Sequence, residues 1–135
     1  MTYMLDTNMC IYVINERDPA LRERFVEHAG SLFVSSISYA ELVYGVVHSR
    51  RVKHNARELA AFVEGLDILP FGQEGAGHYG DIRHALAKKG ALIGANDLLI
   101  AAHARSIDAT LVTNNEREFR RVPKLHVENW VRQTK

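Results

Sequence analysis

Three acidic residues in apolar surroundings are the feature of this sequence that points most directly to chemistry. Asp6 follows the apolar residues 3–5, and Glu41 and Asp97 lie beside hydrophobic residues much further along the chain. A buried carboxylate is unfavourable unless it is paired, hydrogen-bonded or bound to a cation, and three that converge repel one another. A hard divalent cation relieves that repulsion. The pattern therefore predicts Mg²⁺- or Mn²⁺-dependent phosphodiester chemistry.

Asp6 and Asp97 each have a purely structural explanation as well. Asp6, with Thr7 and Asn8 behind it, could simply begin a helix, because these residue types are common helix caps. In the functional interpretation, Asp6 points into a ligand crevice and Thr7 or Asn8 orients its carboxylate. Asp97 could serve only to stabilise the first turn of a helix through the helix dipole.

Glu41 also has both a structural and a functional explanation. Ser38 and Glu41 have the spacing of a capping box, in which the glutamate bonds the backbone N–H of the capping residue. If the helix instead starts at Ser35 or Ser36, Glu41 lies one turn inside it and is free for another role. Each acid is a weak signal alone, and their joint placement is the stronger evidence.

Two residues are candidates for the fourth position of such a site. Asn115 follows the apolar segment 110–113 and offers a carbonyl oxygen but no charge. Glu118 is one helical step further and could supply the missing carboxylate. Glu118 is equally well explained as a surface acid among the basic residues Arg117, Arg120 and Arg121.

Several other kinds of site are excluded by the sequence. The single cysteine, Cys10, rules out an internal disulfide and a cysteine-rich zinc site. The seven histidines have no ligand spacing, and His103 is predicted to be a packed or interface residue. No glycine-rich phosphate loop occurs. The serines at 35, 36 and 38 are predicted to lack a nearby histidine base.

The composition fits one compact domain over residues 1–135. The formal net charge is +1, from 17 basic and 16 acidic residues, so any contact with nucleic acid must use a local basic patch. Three basic clusters occur, and by default each is a solvated face. Two of them flank the acids in sequence, and the candidates for RNA binding among their residues are Arg83, Lys88, Lys89, Arg117 and Arg120.

The order of the predicted elements indicates an α/β fold with a central parallel sheet flanked by helices. Strands are predicted at 2–6, 32–35, 67–69, 110–113 and 125–127. Helices are predicted at 7–15, after Asp18 to about residue 28, and at 37–48, 53–64, 74–89 and 96–107. Ligands of such sheets bind beyond the carboxyl ends of the strands, where Asp6 and residues 113–115 fall.

The start of the chain has no signal-peptide pattern, and no apolar run approaches the ~20 residues that span a bilayer. With a single thiol, this favours a cytoplasmic location and no membrane partner.

Four stretches of this sequence, taken together, resemble the PIN-domain ribonucleases, and among them the VapC-type toxins of bacterial toxin–antitoxin pairs. They are Met4-Leu5-Asp6-Thr7-Asn8; Ser38 to Leu42 with Tyr44-Gly45; Ile93 to Ala104; and Thr113-Asn114-Asn115 with Glu118-Phe119. The resemblance covers nearly the whole chain, and its specificity lies in the order and spacing of the four.

The resemblance implies that Asp6, Glu41 and Asp97 bind metal and that Thr113 supports the site. Asn115 stands where many members of the family have a fourth aspartate. Because that carboxylate is missing, a site with one metal ion and a site with two remain as alternatives. The reaction implied is in-line attack of water on RNA, leaving 5′-phosphate and 3′-hydroxyl ends. A loop in a structured RNA is the expected target, with transfer RNA suggested by family analogy.

The resemblance also implies a doubly wound fold, a homodimer and inhibition by a VapB-type antitoxin, through which alone the protein would meet operator DNA. Two other readings remain. One is a haloacid-dehalogenase-like phosphatase with Asp6 as nucleophile, although Asn8 stands where that class has a second acid. The other is an inactive PIN-like binding module, which only Asn115 supports.

Overall fold

Five short strands alternate with seven helices in the computed structural model, which describes residues 1–16 and 18–131, apart from the Glu16 side chain. The strands are β1 (Tyr3–Leu5), β2 (Leu32–Ser35), β3 (Asp67–Leu69), β4 (Thr110–Val112) and β5 (His126–Glu128). The helices are α1 (Thr7–Glu16), α2 (Pro19–Glu27), α3 (Ser36–Val47), α4 (Val52–Glu64), α5 (Gln73–Lys88), α6 (Ala95–Ser106) and α7 (Glu116–Phe119).

All five strands pair in parallel, in the order β3-β2-β1-β4-β5. The predicted α/β fold with a central parallel sheet is confirmed. Leu5, the last residue of β1, lies opposite Val34 of β2 and Val112 of β4. The three central strands therefore end at nearly the same level, and the residues that follow them meet at one edge of the sheet.

The two faces of the sheet bury separate apolar clusters, as the alternation of side chains along a strand requires. In β1, Met4 packs on the face that α5 and α6 cover, together with Leu86, Ile100 and Leu111. Tyr3 and Leu5 point to the other face, which α1, α3 and α4 cover. A strand buried on both faces reads as a continuous apolar run, which is why β1 was recognisable from its sequence.

The predicted elements agree closely with the observed ones, and the differences are local. Asp18 caps α2 through a hydrogen bond from Ala20 N, with Pro19 as the first helical residue. The last strand begins one residue later than predicted. The single turn α7 was not predicted, because four residues are too few to show a helical period. Within the described residues, no helix is both long enough and apolar enough to cross a membrane.

The central strand β4 provides a test of this core. Leu111 is fully buried, whereas Leu92, in the loop before α6, is 48% exposed. Leu111→Ala should lower the free energy of unfolding by roughly 2–5 kcal/mol, because it removes buried methyl groups and leaves a cavity. Leu92→Ala, the matched control, should change it by less than about 0.5 kcal/mol. Urea unfolding at one protein concentration measures both, and equal effects would contradict this description of the core.

Candidate active site

Asp6 is the most buried acid at the carboxyl edge of the sheet, with 2% of its surface exposed. Its Oδ1 accepts a hydrogen bond of 2.7 Å from Met9 N in the first turn of α1. Its Oδ2 accepts one from the Thr113 hydroxyl, just beyond β4. Asp6 therefore caps α1, as its structural explanation predicts, and its role in a metal site stays a prediction.

Thr113 is fully buried and links Asp6 to the loop that follows β4. Its hydroxyl oxygen also accepts a 2.8 Å hydrogen bond from Asn115 N. With the oxygen occupied by that donor, the hydroxyl hydrogen is directed at Asp6. Thr113 thus fixes the Asp6 carboxylate and the backbone of the fourth site position at the same time.

Glu41 lies inside α3 and does not cap it, so the capping-box explanation is wrong. Ser35 is the cap, since its Oγ accepts a hydrogen bond from Ile37 N. The Glu41 carboxylate accepts hydrogen bonds from two distant side chains, from Thr7 at Oε1 and from Asn96 Nδ2 at Oε2, the latter 3.0 Å long. Helices α1, α3 and α6 meet at this one carboxylate.

Asn96 is the site residue that sequence reasoning missed. It precedes Asp97 in the first turn of α6 and contacts Glu41, 55 residues away. Its position beside a predicted site acid was the only available signal, because a neutral amide in the first turn of a helix has no distinctive pattern.

Asp97 occupies the predicted first turn of α6 and is partly buried. Its pKa is raised to about 6, first by burial and then by the negative charges of Asp6, Glu118 and Glu41. Burial likewise raises the pKa of Asp6, hydrogen bonds from Thr113 and Met9 lower it, and the charge of Glu41 raises it. The structure therefore places Asp6, Glu41 and Glu118 close enough to Asp97 for their negative charges to disfavour its ionisation.

Glu118 and Asn115 both lie at this edge, at α7. Asn115 is the residue before the first turn of α7, partly buried, and its side chain makes no capping hydrogen bond. Glu118 lies in the turn itself, and its charge acts on Asp97. Of the two candidates for the fourth position, Glu118 is therefore the one whose charge reaches Asp97.

The donor set fits a hard divalent cation, because it consists of oxygen atoms and carries mutually repelling negative charges. In the described part of the chain, no three His, Cys, Asp or Glu side chains are yet gathered at ligand distance from one point. Donors from the chain itself engage the oxygens of Asp6 and Glu41. A carboxylate oxygen has two lone pairs, so these hydrogen bonds leave room for a cation.

A cavity of about 640 Å³ opens beside Glu41, the one site acid among its lining residues. Thr7, Glu41 and Asn96 line it together with Asn8, which is exposed and makes no contact with Asp6. Of the two residues predicted to support Asp6, Thr7 instead orients Glu41, and Asn8 forms part of the cavity wall.

His103 corrects one expectation and confirms another. It is a packed residue, 3% exposed and edge-on to Phe71, as predicted. Its Nδ1 lies 2.8 Å from Ser35 Oγ, so the prediction that no histidine lies near the serines is wrong. Burial lowers the pKa of His103. Because both residues are buried and Ser35 caps α3, the pair is structural.

The predicted RNA-binding residues lie on α5 and α7 and at the ends of these helices. Lys88 and Lys89 are exposed at the end of α5, six to seven residues before α6 begins. Arg83 is exposed and donates a hydrogen bond to the Tyr79 hydroxyl, and Arg117 is exposed in α7. Arg120 pairs with Glu116 and lines a different cavity, formed mainly by residues that precede β1, β4 and β5. The structure therefore does not bring Arg120 to the carboxylates.

Comparison with known proteins agrees with this geometry. The PIN domain model matches residues 3–125. The chain is 48% identical over 131 residues to Ribonuclease VapC2 of Haemophilus influenzae, covering 97% of this chain and 99% of that protein. It is 41% identical over 130 residues to the tRNA(fMet)-specific endonuclease VapC of Shigella flexneri, covering 96% and 98%.

A solved structure gives the same result. The fold matches a chain in the crystal structure of VapBC2 from Rickettsia felis, bound to a DNA fragment from its promoter, with a TM-score of 0.93 and 43% identity. The match covers 97% of this chain and 100% of that one. The predicted family is confirmed: the chain belongs to the PIN-domain family, and within it to the VapC ribonucleases.

Proposed function

We propose that this ribonuclease depends on Mg²⁺ or Mn²⁺ and cuts single-stranded or loop RNA at the edge where its acids meet. The observation that carries the proposal is the effect of Asp6, Glu118 and Glu41 on Asp97, whose pKa they help to raise to about 6. A carboxylate held among other negative charges gains most from a bound cation. RNA is the substrate of this ribonuclease family, and such a site can cleave it.

In this proposal Asp6, Asp97 and Glu41 hold the cation, which when bound acidifies a water molecule and polarises a phosphate oxygen. Thr113 and Met9 N–H fix the orientation of Asp6. Thr7 and Asn96 hold Glu41 so that it completes the ligand set or orients the attacking water. The water oxygen bonds to phosphorus as the bond to O3′ breaks, and O3′ takes up a proton, giving 5′-phosphate and 3′-hydroxyl ends.

The partners follow from the relatives. The Shigella relative is named for tRNA(fMet), so a transfer RNA loop is the first substrate to try. The Rickettsia structure is a VapBC complex on promoter DNA. We therefore expect a VapB-type antitoxin to inhibit this chain by pairing an arginine with the acids, and to provide its only contact with operator DNA. A cytoplasmic location follows from an RNA substrate.

A homodimer is part of the proposal and has a candidate surface. Tyr44 and Val47, 67% and 68% exposed, form an apolar stripe on α3 with Val43, 37% exposed. Tyr44 also lines the cavity beside Glu41. Exposed apolar stripes of this kind commonly become protein interfaces, and a second copy of this chain would cover it.

The phosphatase and binding-module alternatives have less support. Asn8, where a phosphatase needs its second acid, is exposed. An inactive module would have no need to keep four repelling acids together.

Metal dependence and the role of Asp6 are tested together. Cleavage should require Mg²⁺ or Mn²⁺ and stop in EDTA, because the oxygen ligand set favours these ions. Asp6→Asn should abolish cleavage while the protein stays folded. The substitution weakens the hydrogen bond with Thr113, but it also removes the repulsion between Asp6 and the neighbouring acids, and the two effects offset each other. Asp67→Asn is the matched control, because Asp67 is exposed in β3. Full activity of Asp6→Asn would contradict the proposal. So would cleavage in EDTA that is undiminished in the wild type and absent from Asp6→Asn.

The repulsion itself should be visible in the pH dependence of stability without metal. The pKa of Asp97 is about 6 in the folded protein against 3.8 ordinarily, so the folded state binds more protons between these values. Stability in EDTA should therefore fall as the pH rises from about 4 to 6. Asp97→Asn should flatten this decline in urea unfolding across that range. A variant that declines as steeply as the wild type would show that Asp97 is not the source.

The fourth position is tested by exchanging charges. If Glu118 has replaced the usual aspartate, Glu118→Gln should slow cleavage and shift the Mg²⁺ titration to higher concentration, whereas Asn115→Asp should match or raise the metal affinity. Rates at saturating RNA separate metal binding from any tighter RNA binding caused by the lost negative charge. If the Mg²⁺ titration of Glu118→Gln overlays that of the wild type, the working site consists of three acids and one metal ion.

A further inference from the structure

The strongest concentration of positive charge lies on the turn between α3 and α4, away from the acids. Residues 42–57 contain four cations and no acidic residue, and the cations are Arg50, Arg51, Lys53 and Arg57. The rest of the chain has 13 basic against 16 acidic residues, a net formal charge of −3. The excess positive charge of the whole chain is therefore confined to this one hairpin, called here the cationic arm.

The side chains of the cationic arm are exposed and without acidic partners. Arg50, Arg51 and Lys53 are all exposed, and in residues 1–16 and 18–131 none of them lies within ion-pair distance of a carboxylate. Arg57 donates to a backbone carbonyl only, that of Lys53. By contrast, Arg105 pairs with Asp81 at 2.6 Å.

Positive charges at the start of α4 are unfavourable for the stability of that helix. Arg51 is its N-terminal flanking residue and Lys53 lies in its first turn, which contains no acid. Cations at a helix N-terminus oppose the helix dipole and usually lower stability. A local rule broken in this way is expected where a sequence serves function instead of stability.

The turn that presents the charges is fixed by hydrogen bonds. The Ser49 hydroxyl donates to Val46 O at 2.6 Å, and Asn55 Nδ2 donates to Ser49 Oγ at 2.9 Å. A polyanion would therefore meet cations whose backbone is already ordered, which reduces the entropy lost on binding.

The arm is joined to the acidic site by a shared cavity and a shared helix. Asn55 of the arm and Glu41 line one cavity of about 260 Å³. From Glu41, α3 continues six residues to Val47, which is about 9 Å at 1.5 Å per residue. A strand whose scissile phosphate lies at the acids would need only a few more nucleotides to reach the arm.

We propose that the cationic arm binds the phosphate backbone of the RNA substrate a few nucleotides from the cleaved bond, holding the polyanion against the repulsion of the acids. This inference rests on the proposed function for its substrate. It assigns the arm, and not the Arg117–Arg121 cluster, as the main electrostatic anchor. RNA fits better than an acidic protein, because its scissile phosphate must be held beside the carboxylates while the arm, a few nucleotides away, supplies compensating charge.

The test compares two charge-matched double variants. Arg50→Gln with Arg51→Gln removes two arm cations, and Arg22→Gln with Lys124→Gln removes two exposed cations elsewhere. Binding of bulk transfer RNA and of a single-stranded RNA library is measured in EDTA over a salt series, and cleavage is measured with Mg²⁺. The binding assay does not require cleavage, so the inference can be judged even if the proposed metal dependence fails.

The arm variant should bind RNA about tenfold more weakly at low salt, and its salt slope should fall by about 1.4, or 0.7 for each lost phosphate contact. Its KM should rise in the same proportion, while kcat at saturating RNA stays at the wild-type value. Its thermal midpoint should be equal or slightly higher, because unfavourable charges leave the start of α4. The control variant should change none of these.

Two results would overturn the proposal. One is an arm variant whose RNA affinity and salt slope match those of the control. The other is an arm variant that binds RNA normally but no longer associates with a co-expressed antitoxin, which would make the arm a protein contact. Wild-type protein that binds RNA through the arm yet cuts none would contradict the proposed function and leave the arm assignment standing.

Discussion

The placement of a negative charge at the end of β1 is the constraint on which the rest of the structure depends. Asp6 is almost completely buried, and its two oxygens are engaged by a backbone N–H of α1 and a hydroxyl beyond β4. These bonds fix how α1 leaves the sheet and where the loop after β4 must pass. Without such donors, burial of the carboxylate would be strongly unfavourable. The geometry at the top of the central strands thus follows from the need to satisfy one acid.

The other acids are supported in the same way, from elements that are distant in sequence. Glu41 is held from α1 and α6, and Asp97 stands at the start of α6, where its charge suits the helix dipole. Parallel topology makes this possible, because it brings the carboxyl ends of β1, β2 and β4 to one edge. The charge of the chain is arranged to match, with negative residues gathered at that edge and the surplus of positive charge displaced to the cationic arm.

How much of this was predictable from the sequence depends on the range of each interaction. The buried strand before Asp6, the cap at Asp18 and the alternation of strands and helices were readable because they are local patterns. The cap of α3 was ambiguous, since Ser35, Ser36 and Ser38 are equally suitable, and the end of β2 selects Ser35. Asn96 and the contact of His103 with Ser35 were not readable, because their partners lie 55 and 68 residues away. Pairings of that kind are decided by tertiary packing alone.

The hydrogen bonds around Asp6 and Glu41 have a consequence for how the protein becomes active. In many small metalloproteins the ion supplies the energy of folding, and the chain without it is unstructured. Here donors of the chain itself already satisfy the acids, from Thr7, Asn96, Thr113 and the backbone of Met9. These hydrogen bonds stabilise the site without an ion, so that in the proposed function folding and activation by the ion are separate events. Under the proposed metal dependence, a cell can hold this polypeptide fully assembled and inert, with its activity set afterwards by whatever occupies one edge of the sheet.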